Sequence, residues 1–160
     1  MEVNRLIQIR TSESSDLSGL MRVERESFST PWSEESVLSF LDDGEHRICF
    51  AAEEDREGVI GYLALQFVGD EAEICNIAVK PANRGRGIGG QLIDRAVEFC
   101  TGRSIGVLHL EVRVHNAPAV SLYEKKGFRR VGLRRGYYED SGEDALLFAR
   151  PIDDIEASRK

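Results

Sequence analysis

Seven consecutive residues, Arg84-Gly-Arg-Gly-Ile-Gly-Gly90, hold four glycines and two arginines and stand immediately before a segment with helical periodicity. Glycine leaves backbone amides uncovered, and amides at a helix N-terminus, backed by the helix dipole and by cationic side chains, bind anions. A diphosphate suits such a cradle. The stretch also satisfies Gly-x-Gly-x-x-Gly through Gly85, Gly87 and Gly90, and Glu111 lies about twenty residues on, where the ribose-binding carboxylate of a dinucleotide site would stand. That fingerprint needs its first glycine directly after a strand, whereas Lys80-Pro-Ala-Asn-Arg84 intervenes after Val79. A Gly-Lys-Ser/Thr ending is missing, so the lysine and the magnesium-binding hydroxyl of a nucleotide-triphosphate loop are missing with it. On these residues alone the remaining alternative is a flexible loop before a core helix.

Further along, His109, Glu111 and Arg113 alternate with Leu108, Leu110 and Val112. A strand here turns its charged side chains to one face and its apolar ones to the other. Glu111 reads either as a surface carboxylate paired with Arg113 or as a group with a proton to move. Asn116 and Tyr123 are seven residues apart, which on a helix returns Tyr123 to nearly the same face two turns on. Asn116 fits a helix cap and Tyr123 an aromatic packed on a sheet, and capping does not prevent the asparagine from touching a ligand. Cys49, Cys75 and Cys100 form no Cys-x-x-Cys pair and have no histidine at ligand spacing, so neither a disulfide nor a bound metal is expected. Each lies among apolar neighbours, where a thiol acts as a small hydrophobe.

The elements that must position these groups follow from periodicity. The 160 residues, 41% hydrophobic and 31% charged, suit one globular domain. A net charge of −7 argues against coating nucleic acid or anionic membrane. Neither a signal-peptide core in residues 1–10 nor any apolar run near about 18 residues is found, so a soluble cytoplasmic chain is expected. Residues 6–9 alternate as a strand, and Leu17, Leu20, Met21 and Phe28 recur at helical spacing from about Ser14. Pro31 breaks that helix; Ser33 then caps a second, whose first turn carries Glu34 and Glu35. Three strand-like runs, 47–52, 59–68 and 72–79, read as an antiparallel meander. A helix beyond the glycines ends near Gly102, a strand covers 107–114, and a helix opened by Asn116 and Pro118 closes at Gly127. Strands at 128–133 and 145–148 complete the set, with a polar tail over 153–160.

In this context Arg84-x-x-Gly87-x-Gly89 follows a strand ending Asn76-Ile-Ala-Val79 and precedes Leu110-Glu-Val-Arg113 and Asn116-x-x-Ala119-x-x-Leu122-Tyr123-x-x-x-Gly127-Phe128. The chain, over most of its length, resembles the GNAT family of acetyl-coenzyme A-dependent N-acetyltransferases. Pro31-Trp-Ser33, Leu122-Tyr-Glu124, Arg135-Gly-Tyr-Tyr138 and Glu143-Asp-Ala145 are similar to the RimI-type branch, whose members acetylate the N-terminal α-amino group of a small-subunit ribosomal protein. Gly85-Arg86 within the loop and a lengthened acidic C-terminus are departures from that branch.

The resemblance implies an α/β (α+β) domain over 1–152: a mixed, mostly antiparallel, twisted sheet of about seven strands with about four helices, splayed between its fourth and fifth strands. It implies that Ile77, Ala78 and Val79 pair with the pantetheine amides of acetyl-CoA, that an amide such as that of Ile77 faces the thioester oxygen, and that Arg84, Gly85, Arg86, Gly87, Ile88, Gly89 and Gly90 hold the diphosphate, with Asn116 also on the cofactor. Glu111 would be the general base, with Glu73 second, and Tyr123 the acid that protonates the departing thiolate. Trp32, Tyr137 and Tyr138 would line the acceptor entrance, although each also fits a packed aromatic; Glu143 and Asp144 would hold the loop or attract a basic tail. Direct transfer to a ribosomal or other protein N-terminus by a monomer or weak dimer follows, without nucleic acid or membrane. A small amine or internal lysine as acceptor, a non-catalytic acyl-CoA-binding module and, third, a Rossmann-type oxidoreductase are the alternatives.

Overall fold

The computed structural model describes residues 6–42 and 44–152. The polar tail expected at 153–160 lies outside the described residues. After β1 (Ile7–Thr11) a single 3-10 turn, Ser14–Asp16, leads into α1 (Leu17–Ser27), so the first helix starts three residues later than its apolar spacing suggests. Asp16 explains the delay: its carboxylate accepts from the Glu13 amide at 2.8 Å and takes a two-pronged bond from Arg10 at 2.8 Å, which fixes the tight turn. The helix ends before Pro31, whose ring disfavours helical geometry in the residue preceding it. α2 (Glu34–Asp42) begins as expected, the Ser33 hydroxyl accepting from the Ser36 amide at 3.1 Å with Glu34 and Glu35 in the first turn.

Next come β2 (Arg47–Glu54), β3 (Gly58–Val68), β4 (Glu71–Val79), α3 (Ile88–Gly102), β5 (Val107–Arg113), α4 (Ala117–Lys125), β6 (Arg129–Arg134) and β7 (Ala145–Pro151). They form one seven-stranded sheet in the order β1-β2-β3-β4-β5-β7-β6. β2 runs antiparallel to β1 and β3, and β7 antiparallel to β5 and β6. The fourth and fifth strands pair in parallel, as a crossover through α3 requires. Their ladder covers only Glu71–Ile74 against Val107–Leu110. β4 continues to Val79 and β5 to Arg113 beyond that ladder, in keeping with the splay that the resemblance implies. Gly61 lets β3 approach β4 closely: a β-carbon there would lie 2.9 Å from the Ala78 carbonyl oxygen.

The chain divides into two compact units, Met1–Gln66 with Asn76–Ala96 and Phe67–Cys75 with Val97–Lys160. In the first, Leu20 and Val23 of α1, Phe50 of β2, Ile60 and Leu63 of β3 and Leu92 of α3 are fully buried. β2 and β3 are buried over most of their length, and so read as apolar runs rather than as alternation. In the second, Leu108, Leu110 and Val112 alternate with half-buried His109, Glu111 and Arg113 along β5, as their spacing requires. Phe67 packs on Phe99, centroids 5.1 Å apart, with the Arg103 guanidinium over both rings. β6 forms the sheet edge, with Arg129, Arg130, Val131, Leu133 and Arg134 exposed. Among the described residues no helix is long and apolar enough to cross a membrane.

Candidate active site

The glycine-rich turn expected to hold an anion belongs to the first unit. Gly85 and Gly87 have φ of +81° and +78°, a left-handed conformation that a side chain strains. A β-carbon on either would meet nothing within 4 Å, so both glycines face open space. The Gly87 carbonyl accepts the first bond of α3, from the Gln91 amide at 3.1 Å. The amides of Ile88, Gly89 and Gly90 precede that bond and have no partner inside the helix. Amides at the start of a helix, with its dipole behind them and the open space over Gly85 and Gly87 beside them, fit a diphosphate.

The two arginines have protein partners. Arg84 Nε donates to the Val79 carbonyl at 3.0 Å, which closes the loop back onto β4. Arg86 Nη1 sits 3.1 Å from the carboxylate of Glu54, a buried residue of β2. The sequence sets both arginines beside the glycines; the pairing of Arg86 with Glu54, thirty-two positions away, has no local signature. The Val79 carbonyl also accepts from the Ser27 hydroxyl at 3.4 Å, a second tie that holds the end of β4. Trp32 stacks on Phe40, centroids 5.5 Å apart, and is half-buried in the turn between α1 and α2.

Glu111, Glu73 and Tyr123, the groups expected to move protons, belong to the second unit. Glu111, on β5 opposite Leu147, has its side chain 19% exposed with Arg134 Nη1 3.5 Å from one oxygen. The Tyr137 hydroxyl donates to the same carboxylate, which, more than partial burial, pushes that phenol up from its ordinary value. The Arg134 guanidinium lies over the Tyr137 ring at 5.3 Å. Glu73 faces His109 across the β4–β5 ladder, and its charge adds to the rise of the Tyr137 phenol.

The segment between β6 and β7 is strapped to β5. Both terminal nitrogens of Arg113 donate to Asp140 at 2.9 Å, and its guanidinium stands 4.0 Å over the Tyr138 ring. Burial pushes the Tyr138 phenol up to about 12, against the lowering effect of Arg113. Glu143 lies 3.6 Å from Arg113 and 3.2 Å from His115, and Asp144 accepts from the Gly136 amide at 2.8 Å. These two acids hold the loop. Arg113 thus pairs with Asp140 rather than with Glu111, a choice that alternation along β5 could not reveal.

Tyr123 is buried on α4 between Phe128 and Phe148, its ring edge-on to both at 5.8 and 6.3 Å. Burial pushes its phenol up to about 12, so it holds its proton at neutral pH. Asn116 caps α4, its Oδ1 accepting from the Ala119 amide at 3.3 Å. Cys49 is pushed up to about 12 and Cys100 to about 11, both by burial, which leaves these thiols unreactive. Among the described residues no group of three or more His, Cys, Asp or Glu could hold a metal ion.

Residues 17–128 match the acetyltransferase (GNAT) family. The chain belongs to the GNAT family. It is 35% identical over 146 residues to the [ribosomal protein bS18]-alanine N-acetyltransferase of Escherichia coli (strain K12), covering 90% of this chain and 97% of that one. The crystal structure of the Escherichia coli ribosomal-protein-S18-alanine N-acetyltransferase superposes with a TM-score of 0.85 at 34% identity, covering 92% and 95%. Arabidopsis thaliana NAA60 in complex with acetyl-CoA gives 0.82 at 25% identity, covering 92% and 99%. As a GNAT acetyltransferase the chain keeps the fold of these relatives, including the parallel pairing of β4 with β5.

Proposed function

We propose that this GNAT acetyltransferase transfers the acetyl group of acetyl-CoA to the N-terminal α-amino group of a protein, its acceptor being an alanine-starting small-subunit ribosomal protein. The observation that carries the acceptor is the likeness to the Escherichia coli bS18-alanine enzyme over nearly the whole of both chains. Acetyl-CoA supplies an acyl group already activated as a thioester. Its diphosphate is held by the amides of Ile88, Gly89 and Gly90 in the turn that Gly85 and Gly87 shape, with Arg84 and Arg86 alongside, and its pantetheine by the backbone of Ile77, Ala78 and Val79. The Asn116 amide nitrogen is left for the cofactor once Oδ1 has capped α4.

A terminal amine has a pKa of about 7.7 to 8.0 and is largely protonated at neutral pH, so it needs a base before it can attack. Glu111 takes that proton. Its carboxylate lies 3.5 Å from Arg134 Nη1 and accepts from the Tyr137 hydroxyl, and these contacts help to orient it towards the amine. Tyr123, protonated at neutral pH, returns a proton to the sulfur as the carbon–sulfur bond breaks. Trp32, Tyr137 and Tyr138 face the acceptor.

The reading is tested by following thiol release from acetyl-CoA with alanine-starting peptides, N-blocked lysine peptides and polyamines. Turnover with the free N-terminus alone is expected. Faster turnover with a polyamine or lysine peptide would move the acceptor, and binding of acetyl-CoA without turnover on any amine would make the chain a sensor.

A further inference from the structure

Glu24 is a carboxylate on the apolar stripe of α1, buried with Leu20, Met21 and Val23 and excluded from solvent. Holding a charge there is costly unless hydrogen bonds take up its lone pairs, whereas an apolar side chain of similar volume would fill the space without that cost. Both oxygens are engaged. Oε1 accepts from the Tyr62 hydroxyl and from Asn76 Nδ2, each at 2.5 Å, and Asn76 Nδ2 also reaches the Tyr62 hydroxyl at 2.8 Å. Oε2 accepts from the backbone amide of Trp32 at 2.8 Å. One side chain of α1 therefore ties down β3, β4 and the turn between α1 and α2.

The residues beside each tie give the arrangement its meaning. Asn76 is followed at once by Ile77, Ala78 and Val79, the part of β4 beyond its ladder with β5, which lacks the restraint of that neighbouring strand. Trp32 carries the stacked ring of the turn that faces the acceptor in the reading above. We propose that Glu24 is a positioning residue for the transfer: one carboxylate oxygen sets the β4 segment that accompanies the acetyl donor, and the other sets the turn on the acceptor side. The inference rests on the assignment of Ile77–Val79 to acetyl-CoA.

The two arms separate in Glu24→Gln. The Trp32 N–H can only donate and cannot turn over, so it demands the carboxamide oxygen, and the carboxamide NH2 is left facing the Tyr62 hydroxyl and the Asn76 NH2. Two NH2 groups then oppose one another unless Asn76 rotates, and the strain falls on β4. The expected result is a rise of about tenfold in the KM for acetyl-CoA and in its Kd measured by calorimetry without acceptor, with the acceptor KM unchanged. Asn76→Ala removes the β4 arm while leaving the Trp32 amide on Glu24, and should move the same two constants in the same direction even if Glu24→Gln folds poorly. Folded variants that bind acetyl-CoA as tightly as wild type, or that lose kcat with both KM values intact, overturn the proposal. A wild-type protein that binds no acetyl-CoA overturns the functional reading and this inference with it; wild-type binding beside unaltered variants overturns this inference alone.

Discussion

Replacing Gly87 by alanine probes the anion cradle with an internal standard supplied by the fold. Gly87 has φ +78° and a β-carbon there meets nothing within 4 Å; Gly58, the first residue of β3, has φ +77° and the same open surroundings. Forcing an L-residue into this left-handed conformation costs about 1 to 2 kcal/mol with no steric clash to add. Gly87→Ala and Gly58→Ala should therefore lower stability equally, shifting Tm by about 2 to 8 °C in a chain of this length. They should differ in one respect. The methyl group of the first stands in the cradle, and losing or lengthening one amide bond to a charged phosphate is worth about 1.5 to 3 kcal/mol, or about 10- to 150-fold in the Kd for acetyl-CoA. Calorimetric titration of both variants beside wild type, with thermal melts for the shared strain, reads the two quantities separately. If Gly87→Ala binds acetyl-CoA as tightly as Gly58→Ala, the diphosphate is not held at this turn and the assignment fails.

Three further outcomes are expected. Glu111→Gln should lower kcat at neutral pH by about 10² to 10⁴, and Glu73→Gln by far less; the reverse ranking in steady-state assays would move the base to β4. Tyr123→Phe keeps the ring between Phe128 and Phe148, so its Tm should hold while kcat falls, and unchanged turnover would reduce Tyr123 to packing. Cys49 and Cys100 are pushed up from 9.0, and Tyr123 and Tyr138 from 10.0, so the unfolded chain loses these protons first and stability must fall as pH rises from about 9 towards 12. Urea midpoints should drop across that window and drop less steeply in Cys49→Ala; a midpoint flat to pH 11 would contradict the burial of these groups.

What the sequence disclosed and what it concealed divide by distance along the chain. Alternation from Val107 placed Glu111 on the polar face of β5, and the Ser33 and Asn116 caps set the starts of α2 and α4, because each depends on neighbours a few positions away. The glycines of the cradle were legible for the same reason: left-handed turns and uncovered amides are local demands. The contacts that set the site's charge were not. Arg86 with Glu54, Arg113 with Asp140 and Glu24 with Asn76 join residues 32, 27 and 52 positions apart, and only the folded sheet selects them from the many acids and bases present. Glu24 did leave one trace, a carboxylate where the spacing of α1 calls for an apolar residue.

The edge strand β6 has a consequence for crowded solutions. An unpaired edge invites the same strand of another copy, and exposed Val131 and Leu133 would reward the contact. Laid antiparallel over their full length, however, two such edges would set Arg129 of one copy opposite Arg134 of the next at both ends, and repulsion between like charges opposes the match. Exchanging those arginines for neutral side chains would remove the barrier and leave the apolar pair to seed fibrous aggregates, so the guanidinium groups act as a guard against self-templated assembly.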